Sequence, residues 1–391
     1  MRSPVFRSTT LVVFLAAVPI LAAKPPVSVD CAKGQSINSV LATNADPLEI
    51  EFSGTCQEDV LITRDRITIR GTGASPAIVG APNIPFADRK PAVSVYGADN
   101  VILAAFTADD SDSRGIEAKG SSRLIVDDVV ATGSRSGLLL LEQSSALVRN
   151  SSFDGNTGDG IGVWDNSALM LEGAISASDN TRAGIIASGG SSITVSTLGA
   201  NTSANDNLFG FLLQLGAQAL MSSASPTNTT AAGNGSLGLS VTSESHWSGG
   251  VAVSSSDYGI AVESSASLAA SPGAISVSSC FAGVYVAEDS QVTLTNVGLS
   301  GNDYGVYVDG GNAKILNSAI SGSAEEDVHL EFGSRLISGG SSASVVYCDD
   351  TVLVRGGISC PPPALLSAPR LRSQGVRRSV RRETGAPLTM N

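Results

Sequence analysis

Five residues near the end of the chain have the types and the spacing to carry chemistry. Tyr285, Tyr307 and His329 are each 22 residues apart, and Asp309 and Glu331 follow the last two by two positions. If that interval is one turn of a repeating structure, the five side chains stack over one another. A histidine beside carboxylates can then act as a general base with a raised pKa, and tyrosine rings can stack on a sugar ring.

These five residues are therefore the candidate catalytic group. The alternative is an aromatic ladder that only stabilises the surface of a sheet. The sequence leaves both interpretations open.

The 22-residue interval belongs to a repeat that runs through most of the chain. A glycine anchor is followed by apolar residues at positions +1 and +3, and often again at +9 and +11. Two-residue alternation predicts short strands, and two or three strands in each 21–28 residues predict a solenoid whose stacked rungs share one core. The anchors are Gly115, Gly137, Gly160, Gly184, Gly210, Gly238, Gly259, Gly283 and Gly305.

Positions +2 and +4 are expected to point away from this core, because side chains alternate along a strand. On four neighbouring rungs they form an apolar patch roughly 15 Å long, which predicts a contact surface. Either the patch is exposed for binding, or a loop, the C-terminal tail or a second subunit covers it. These candidate binding residues are Leu139, Leu141, Trp164, Ile186 and Leu212.

Polar turn residues precede several anchors. Asparagine tolerates a left-handed backbone and can hydrogen-bond to a like residue on the next rung. Cys280 lies three residues before its glycine, as Asn302 does one rung later, so we expect a thiol in the turn stack and not a nucleophile. The expected stack is Asn156, Asn180, Asn205, Asn234 and Asn302.

The ends of the chain depart from the repeat. Residues 1–23 have a basic start and an apolar run, which predict a cleaved signal peptide and a secreted, periplasmic or cell-surface protein with no membrane span in the mature chain. Cys31 and Cys56, and Cys348 and Cys360, are expected to form two local disulfides that secure the ends of a domain at 24–360. Residues 361–391 hold six Arg and one Glu and are expected to be a disordered tail, either solvated or docked on the acidic body.

The net charge of the chain restricts the kinds of partner that it can bind. Residues 24–360 carry 16 basic and 35 acidic residues, a net charge of −19. Nucleic acid needs a basic face, so this composition argues against nucleic-acid binding.

The glycine-anchored repeat and the opening stretch from Gly54 to Gly73 (GTCQEDVLITRDRITIRGTG) resemble the pectin-lyase-like superfamily. The match is to its parallel β-helix repeat proteins and covers about residues 27–360. The resemblance implies an all-β fold, a right-handed single-stranded parallel β-helix of about twelve rungs. It also implies that polysaccharide can bind along an exposed strand face.

The catalytic motifs of the superfamily's familiar enzymes are missing. Neither the calcium-binding aspartates with a catalytic Arg or Lys of pectate lyases nor the Asp cluster with Gly-His-Gly of polygalacturonases is found. No Lys or Arg accompanies His329 at the outward positions of its three rungs, where a lyase needs a cation. No cofactor is expected, although Asp109, Asp110 and Asp112 form an acidic turn that could hold calcium.

The sequence thus favours an exported, non-catalytic protein that presents an extended face to a polysaccharide or a surface protein. A polysaccharide lyase or glycoside hydrolase acting at the His329 face is the first alternative. A structural or adhesive module that oligomerises through the apolar patch is the second.

Overall fold

The chain folds into a parallel β-helix of two long sheets, as the repeat predicts. A computed structural model describes residues 25–80, 90–109, 113–196, 201–221, 228–270 and 275–361. The smaller sheet has thirteen strands, one from each rung, against the expected twelve or so. The predicted signal peptide and tail lie outside the described residues.

The thirteen-stranded sheet is the wall that carries the glycine anchors. Its strands pair in parallel, each with the strand of the rung before and after. They are β4 (Val60–Ile62), β7 (Val93–Tyr96), β9 (Arg114–Lys119), β11 (Ser136–Leu140), β13 (Asp159–Val163), β15 (Ala183–Ala187), β18 (Phe209–Leu213), β21 (Leu237–Val241), β24 (Tyr258–Val262), β27 (Ala282–Ala287), β30 (Tyr304–Asp309), β33 (Glu326–Glu331) and β36 (Val346–Cys348).

The second sheet has 24 strands and bends to form the other two walls. The bend is visible at the strand Ala168–Ser176, which pairs through residues 168–171 with one strand of the next rung and through residues 174–176 with another. The strands are β1 (Val27–Asp30), β2 (Leu48–Ser53), β3 (Thr55–Gln57), β5 (Ile67–Gly71), β6 (Ala77–Val79), β8 (Val101–Asp109), β10 (Arg123–Thr132), β12 (Ser145–Ser152), β14 (Ala168–Ser176), β16 (Ser192–Val195), β17 (Asn201–Ser203), β19 (Gln218–Met221), β20 (Thr229–Ala232), β22 (His246–Ser248), β23 (Val251–Ser254), β25 (Ser267–Ala269), β26 (Ile275–Ser278), β28 (Gln291–Thr295), β29 (Gly298–Ser300), β31 (Asn312–Leu316), β32 (Ala319–Ile320), β34 (Arg335–Gly339), β35 (Ser342–Ala343) and β37 (Leu353–Gly356).

The core lies inside the three walls and is continuous along the helix. All eighteen +1 and +3 residues that the repeat predicts to point inward are fully buried, from Ile116 to Val308. Burial of apolar surface across every rung is the main stabilising term, since a single rung has too few contacts to fold alone.

The glycine anchors are required because neighbouring rungs approach closely. A Cβ placed on Gly160 would lie 2.7 Å from the carbonyl oxygen of Gly184 and 2.8 Å from the side-chain nitrogen of Asn180. A Cβ on Gly283 would lie 2.6 Å from the carbonyl oxygen of Gly305. The repeated glycine therefore keeps a column free of side chains beside the turn.

The turn column is an asparagine ladder, as predicted, with one residue replaced. The side-chain oxygen of Asn180 accepts from the backbone N–H of Asn156 at 2.9 Å, and that of Asn207 accepts from the backbone N–H of Asn180 at 2.8 Å. The prediction of Asn205 in the ladder was wrong, because its side chain instead accepts from the N–H of Ala232 at 2.8 Å on the neighbouring column. Asn207 is three residues before its glycine, the offset that Asn302 also has.

The predicted place of Cys280 in the turn stack is confirmed. Its sulfur is buried, and its backbone N–H donates to the side-chain oxygen of Asn302 at 3.0 Å, so it takes the place of an asparagine in the turn column. Burial raises the pKa of the Cys280 thiol, which disfavours the thiolate that a nucleophile needs.

Both ends of the β-helix are secured as the cysteine spacing predicts. Disulfides join Cys31 to Cys56 and Cys348 to Cys360. At the N-terminal end the helix α1 (Ile37–Thr43) contacts β2 and β4, and its Ile37 is fully buried. Glu58 accepts hydrogen bonds from the backbone N–H groups of Ile37 and Asn38, which caps this helix. A 3₁₀ turn spans Cys31–Lys33.

Among the described residues, no helix has both the length and the apolar character needed to cross a bilayer.

Candidate functional site

The outward-pointing side chains of the thirteen-stranded sheet form one surface, here called the outer face. It comprises the +2 and +4 residues and the residue before each glycine anchor, on the strands from β9 to β36. Register fixes their alignment: Tyr285 pairs with Tyr307, Tyr307 with His329, and His329 with Tyr347. Each side chain therefore lies over the equivalent one at the strand spacing of about 4.8 Å.

The apolar patch lies on this face where the sequence predicts it, but it is not exposed. Leu139, Trp164, Ile186 and Leu212 belong to one cluster separate from the core, and each is 7% exposed or less. Leu141 is half-buried and packs against the same cluster. The sequence left an exposed patch and a covered contact surface as alternatives, and the burial agrees with the covered one.

A third column of side chains was missed by the sequence analysis. The residue before each anchor also points outward and extends the patch toward the C-terminal end of the sheet. The signal was present, because these positions are mostly apolar or aromatic. They are Ala183, Phe209, Leu237, Tyr258, Ala282 and Tyr304.

The candidate catalytic group is brought together as predicted, inside a longer aromatic ladder. The ring centroids of Tyr285 and Tyr307 are 5.6 Å apart, and those of Tyr307 and His329 are 4.2 Å apart in a stacked geometry. His329 stacks in turn on Tyr347 at 4.5 Å. Tyr347 was not predicted because it follows His329 after 18 residues instead of 22.

Tyr285 and Tyr307 each donate to a carboxylate on the following rung. The hydroxyl of Tyr307 donates to Glu331 at 2.7 Å, and that of Tyr285 donates to Asp309 at 3.4 Å. Burial, and then the hydrogen bond to Glu331, raise the pKa of the Tyr307 hydroxyl above its ordinary range. The Tyr307 hydroxyl therefore acts as a neutral donor that holds the Glu331 carboxylate in place.

His329 lies between two carboxylates at the partly exposed end of the ladder. Its Nδ1 is 2.7 Å from Glu326 Oε2, and its Nε2 is 3.6 Å from Glu331 Oε2. Burial alone would lower the pKa of His329, but the hydrogen bond to Glu326 and the negative charges of Glu326 and Glu331 outweigh it and raise that pKa above its usual value. The ring also faces Tyr304, whose centroid is 5.7 Å away.

The opposite end of the outer face carries paired charges. Glu117 lies 2.8 Å from Arg114 and 3.7 Å from Lys119. Asp159 is bound by Arg182, whose Nε donates to it at 2.6 Å. Burial raises the pKa of Asp159 against the opposing hydrogen bond and charge of Arg182.

The predicted calcium turn falls mostly outside the described residues. Asp109 ends β8, whereas Asp110 and Asp112 are not described. Within the described ranges, no three His, Cys, Asp or Glu side chains lie close enough together to hold a metal ion. The calcium site stays a prediction.

Comparison with known proteins agrees with this architecture. Residues 91–271 match the family model described as a right handed beta helix region. The chain folds as a right-handed parallel β-helix. This is the fold that the sequence resemblance implied.

Two solved structures are similar to this chain at low identity. The Agl-KA catalytic domain has a TM-score of 0.45 and 12% identity, over 87% of this β-helix protein and 70% of that chain. A family 28 exopolygalacturonase of Yersinia enterocolitica has a TM-score of 0.35 and 11% identity, over 86% and 79% of the two chains. Neither similarity assigns an activity to this chain. No curated protein sequence matches it.

Proposed function

We propose that this β-helix is a non-catalytic binding protein, exported from the cell, that uses its outer face to bind a polysaccharide or another protein. The observation that carries the proposal is the ladder Tyr285–Tyr307–His329–Tyr347, a row of rings in register on a rigid sheet. Rings repeated at a fixed spacing, with carboxylates beside them, suit a partner that is extended and rich in hydroxyl groups.

Access to this row begins at its C-terminal end. Tyr285 and Tyr307 are 2% and 3% exposed, whereas His329 and Tyr347 are half-buried. First contact with a ligand therefore falls on Tyr347 and His329, beside Glu326.

The hydrogen bonds of the ladder argue for binding over catalysis. The groups that would perform acid–base chemistry are tied to one another, Tyr285 to Asp309, Tyr307 to Glu331 and His329 to Glu326. The described strands β27, β30 and β33 carry no Lys or Arg that could neutralise a sugar carboxylate.

A polysaccharide lyase or glycoside hydrolase is the second candidate, and the surroundings of His329 favour it. Its Nε2 lies 3.6 Å from Glu331, and its pKa is raised by Glu326 and Glu331. A protonated His329 at mildly acidic pH would be a proton donor at the accessible end of the ladder.

The test uses the mature chain, Lys24 to Asn391, and a panel of neutral and acidic polysaccharides with and without calcium. Retention in affinity electrophoresis without new reducing ends or unsaturated products is the expected result. Tyr347→Ala is expected to weaken retention about tenfold, since a stacking ring is lost. Tyr96→Ala is the matched control, because Tyr96 is an exposed tyrosine at the far end of the same sheet.

Product formation that disappears in His329→Ala would contradict the binding proposal and support a polysaccharide-cleaving enzyme. Retention that is equal in Tyr347→Ala and Tyr96→Ala would remove the outer face as the binding surface. Absence of both products and retention would leave a protein as the partner to be sought by the same pair of variants.

A further inference from the structure

The outer face is buried although no described element lies over it. Ile186 and Ala261 are 0% exposed and Tyr285 is 2% exposed, yet all three point away from the core. Among the described residues, every strand belongs to a wall of the β-helix, and α1 lies at the N-terminal end against β2 and β4. Outward-pointing side chains on a flat sheet face ordinarily keep part of their surface in contact with solvent.

We propose that the outer face has an occupant, the C-terminal segment of the same chain, residues 362–391, which lies along this face from β36 toward β11. The described chain ends at Pro361, directly after Cys360. Cys360 is joined to Cys348, the last residue of β36 and thus of the terminal strand of the same sheet. The segment therefore starts at one end of the surface that it covers.

The segment is long enough for this path. Nine inter-strand steps separate β36 from β11, a distance of roughly 43 Å at about 4.8 Å a step. Thirty residues span about 45 Å as a helix and about 100 Å fully extended. The internal undescribed ranges hold at most nine residues, which reach about 30 Å even when extended.

Charge complementarity supports the same occupant. Residues 257–331 contain ten acidic residues and a single Lys, whereas the segment contains six Arg and one Glu. Three of these acids, Glu263, Asp309 and Glu331, lie on the outer face and are 7–8% exposed. Carboxylates at such depth are stable as anions beside cations, and arginine supplies both the charge and a fork of donors.

The edge of the face offers a matching cleft. A groove of about 600 Å³ is lined by Asp257, Phe281 and Asp303 on three successive rungs. A guanidinium group can stack on Phe281 and pair with either aspartate. Between its arginines the segment also has Leu371, Val376 and Val380, which suit the apolar patch beside the cleft.

Trp164 reports on the occupant, because it lies in the patch while the other tryptophan, Trp247, is buried in the core. The experiment places a protease site after Pro361 in the mature chain, so that the segment is cut only after folding. Acrylamide quenching of tryptophan fluorescence is measured before the cut, and again after the cut segment has been washed away in high salt. The same measurements on Trp164→Phe supply the contribution of Trp247.

Removal of the segment is expected to raise the quenching of Trp164 severalfold. A synthetic peptide of residues 362–391 should restore the protection, and should do so less well as salt is added. In the uncut chain, the fourfold variant Arg377→Glu, Arg378→Glu, Arg381→Glu, Arg382→Glu should expose Trp164. The matched variant with Lys at the same four positions (Arg377→Lys, Arg378→Lys, Arg381→Lys, Arg382→Lys) should largely keep Trp164 protected.

Three results would overturn the proposal. Equal protection of Trp164 before and after the cut, with no effect of the Glu variant, would exclude the C-terminal segment as the occupant. Protection that is lost on dilution of the intact chain would indicate a second copy. Protection seen only in a chain that retains residues 1–23 would indicate the N-terminal segment.

This inference rests on the proposed function in one respect only, namely that the covered surface is also the binding surface. If both hold, cutting after Pro361 should increase polysaccharide retention. Exposure of Trp164 without any gain in polysaccharide retention would contradict the binding proposal but not the intramolecular contact.

Discussion

At the scale of single residues, the outer face combines stacking with buried hydrogen bonds. His329 is held between Tyr307 and Tyr347 by stacking and between Glu326 and Glu331 by charge. Both kinds of contact come from neighbouring rungs or from its own strand, so the geometry of each group depends on the register of the sheet. Two predictions belong to this scale.

The first concerns the titration of His329. Glu326→Gln is expected to lower the pKa of His329, because Glu326 contributes most among the groups that raise this pKa. Glu325→Gln is the matched control, since it removes a neighbouring charge that is not bonded to the ring. The measurement is the pH titration of the imidazole protons by NMR, and equal shifts in the two variants would contradict the pairing.

The raised pKa also fixes the sign of the pH dependence of stability. A histidine whose pKa is higher in the folded state contributes stability that is complete below its unfolded pKa of about 6.5 and is lost as the pH rises through the folded value. Glu326→Gln should therefore lower the free energy of unfolding by about 1–2 kcal/mol at acidic pH and by less in alkaline solution. Denaturant titrations at the two pH values measure the difference.

The second prediction concerns the hydroxyl of Tyr307. Tyr307→Phe leaves the buried Glu331 without its donor at 2.7 Å and is expected to cost about 1–3 kcal/mol of stability. Tyr96→Phe, at a ring that is 50% exposed, should change stability by less than about 0.5 kcal/mol. Similar denaturant midpoints for both variants would show that the bond to Glu331 is not stabilising.

At the scale of elements, the rung is the unit, and its glycine decides how closely two rungs approach. Gly160→Ala is expected to destabilise the protein by about 1–3 kcal/mol or more, since the new methyl group would overlap the carbonyl of Gly184. Gly298→Ala is the control on the other sheet, because no atom lies within 4 Å of its Cβ position. Thermal unfolding compares them, and an equal loss would refute the close-approach explanation.

At the scale of the whole molecule, the β-helix must protect its two ends. Open terminal rungs present unpaired strand edges, which pair readily with other chains. Here α1 covers one end, and a disulfide secures each end.

Cys31→Ala with Cys56→Ala is therefore expected to lower stability by about 2–4 kcal/mol and to promote association. Cys280→Ala, which removes a thiol outside any disulfide, is the comparison. Unfolding and light scattering measure the two effects. A double variant that does not associate and is as stable as Cys280→Ala would show that the N-terminal end does not need this disulfide.

The sequence by itself determined the features that depend on local periodicity. Alternation at +1 and +3 predicted the inward residues, the glycine interval predicted the rungs, and the stacking of Tyr285, Tyr307 and His329 followed from their common spacing. The two disulfides followed from cysteines placed at the ends.

Only the tertiary structure decided where that periodicity fails and how deeply the outward-pointing residues are buried. Tyr347 joins the ladder from a rung of different length, and Asn207 replaces Asn205 in the turn column. The apolar patch is buried and not exposed, although its residues point outward as predicted. The physical reason is that alternation fixes only the side of the strand to which a residue points, whereas its exposure depends on the residues that pack there from elsewhere in the chain.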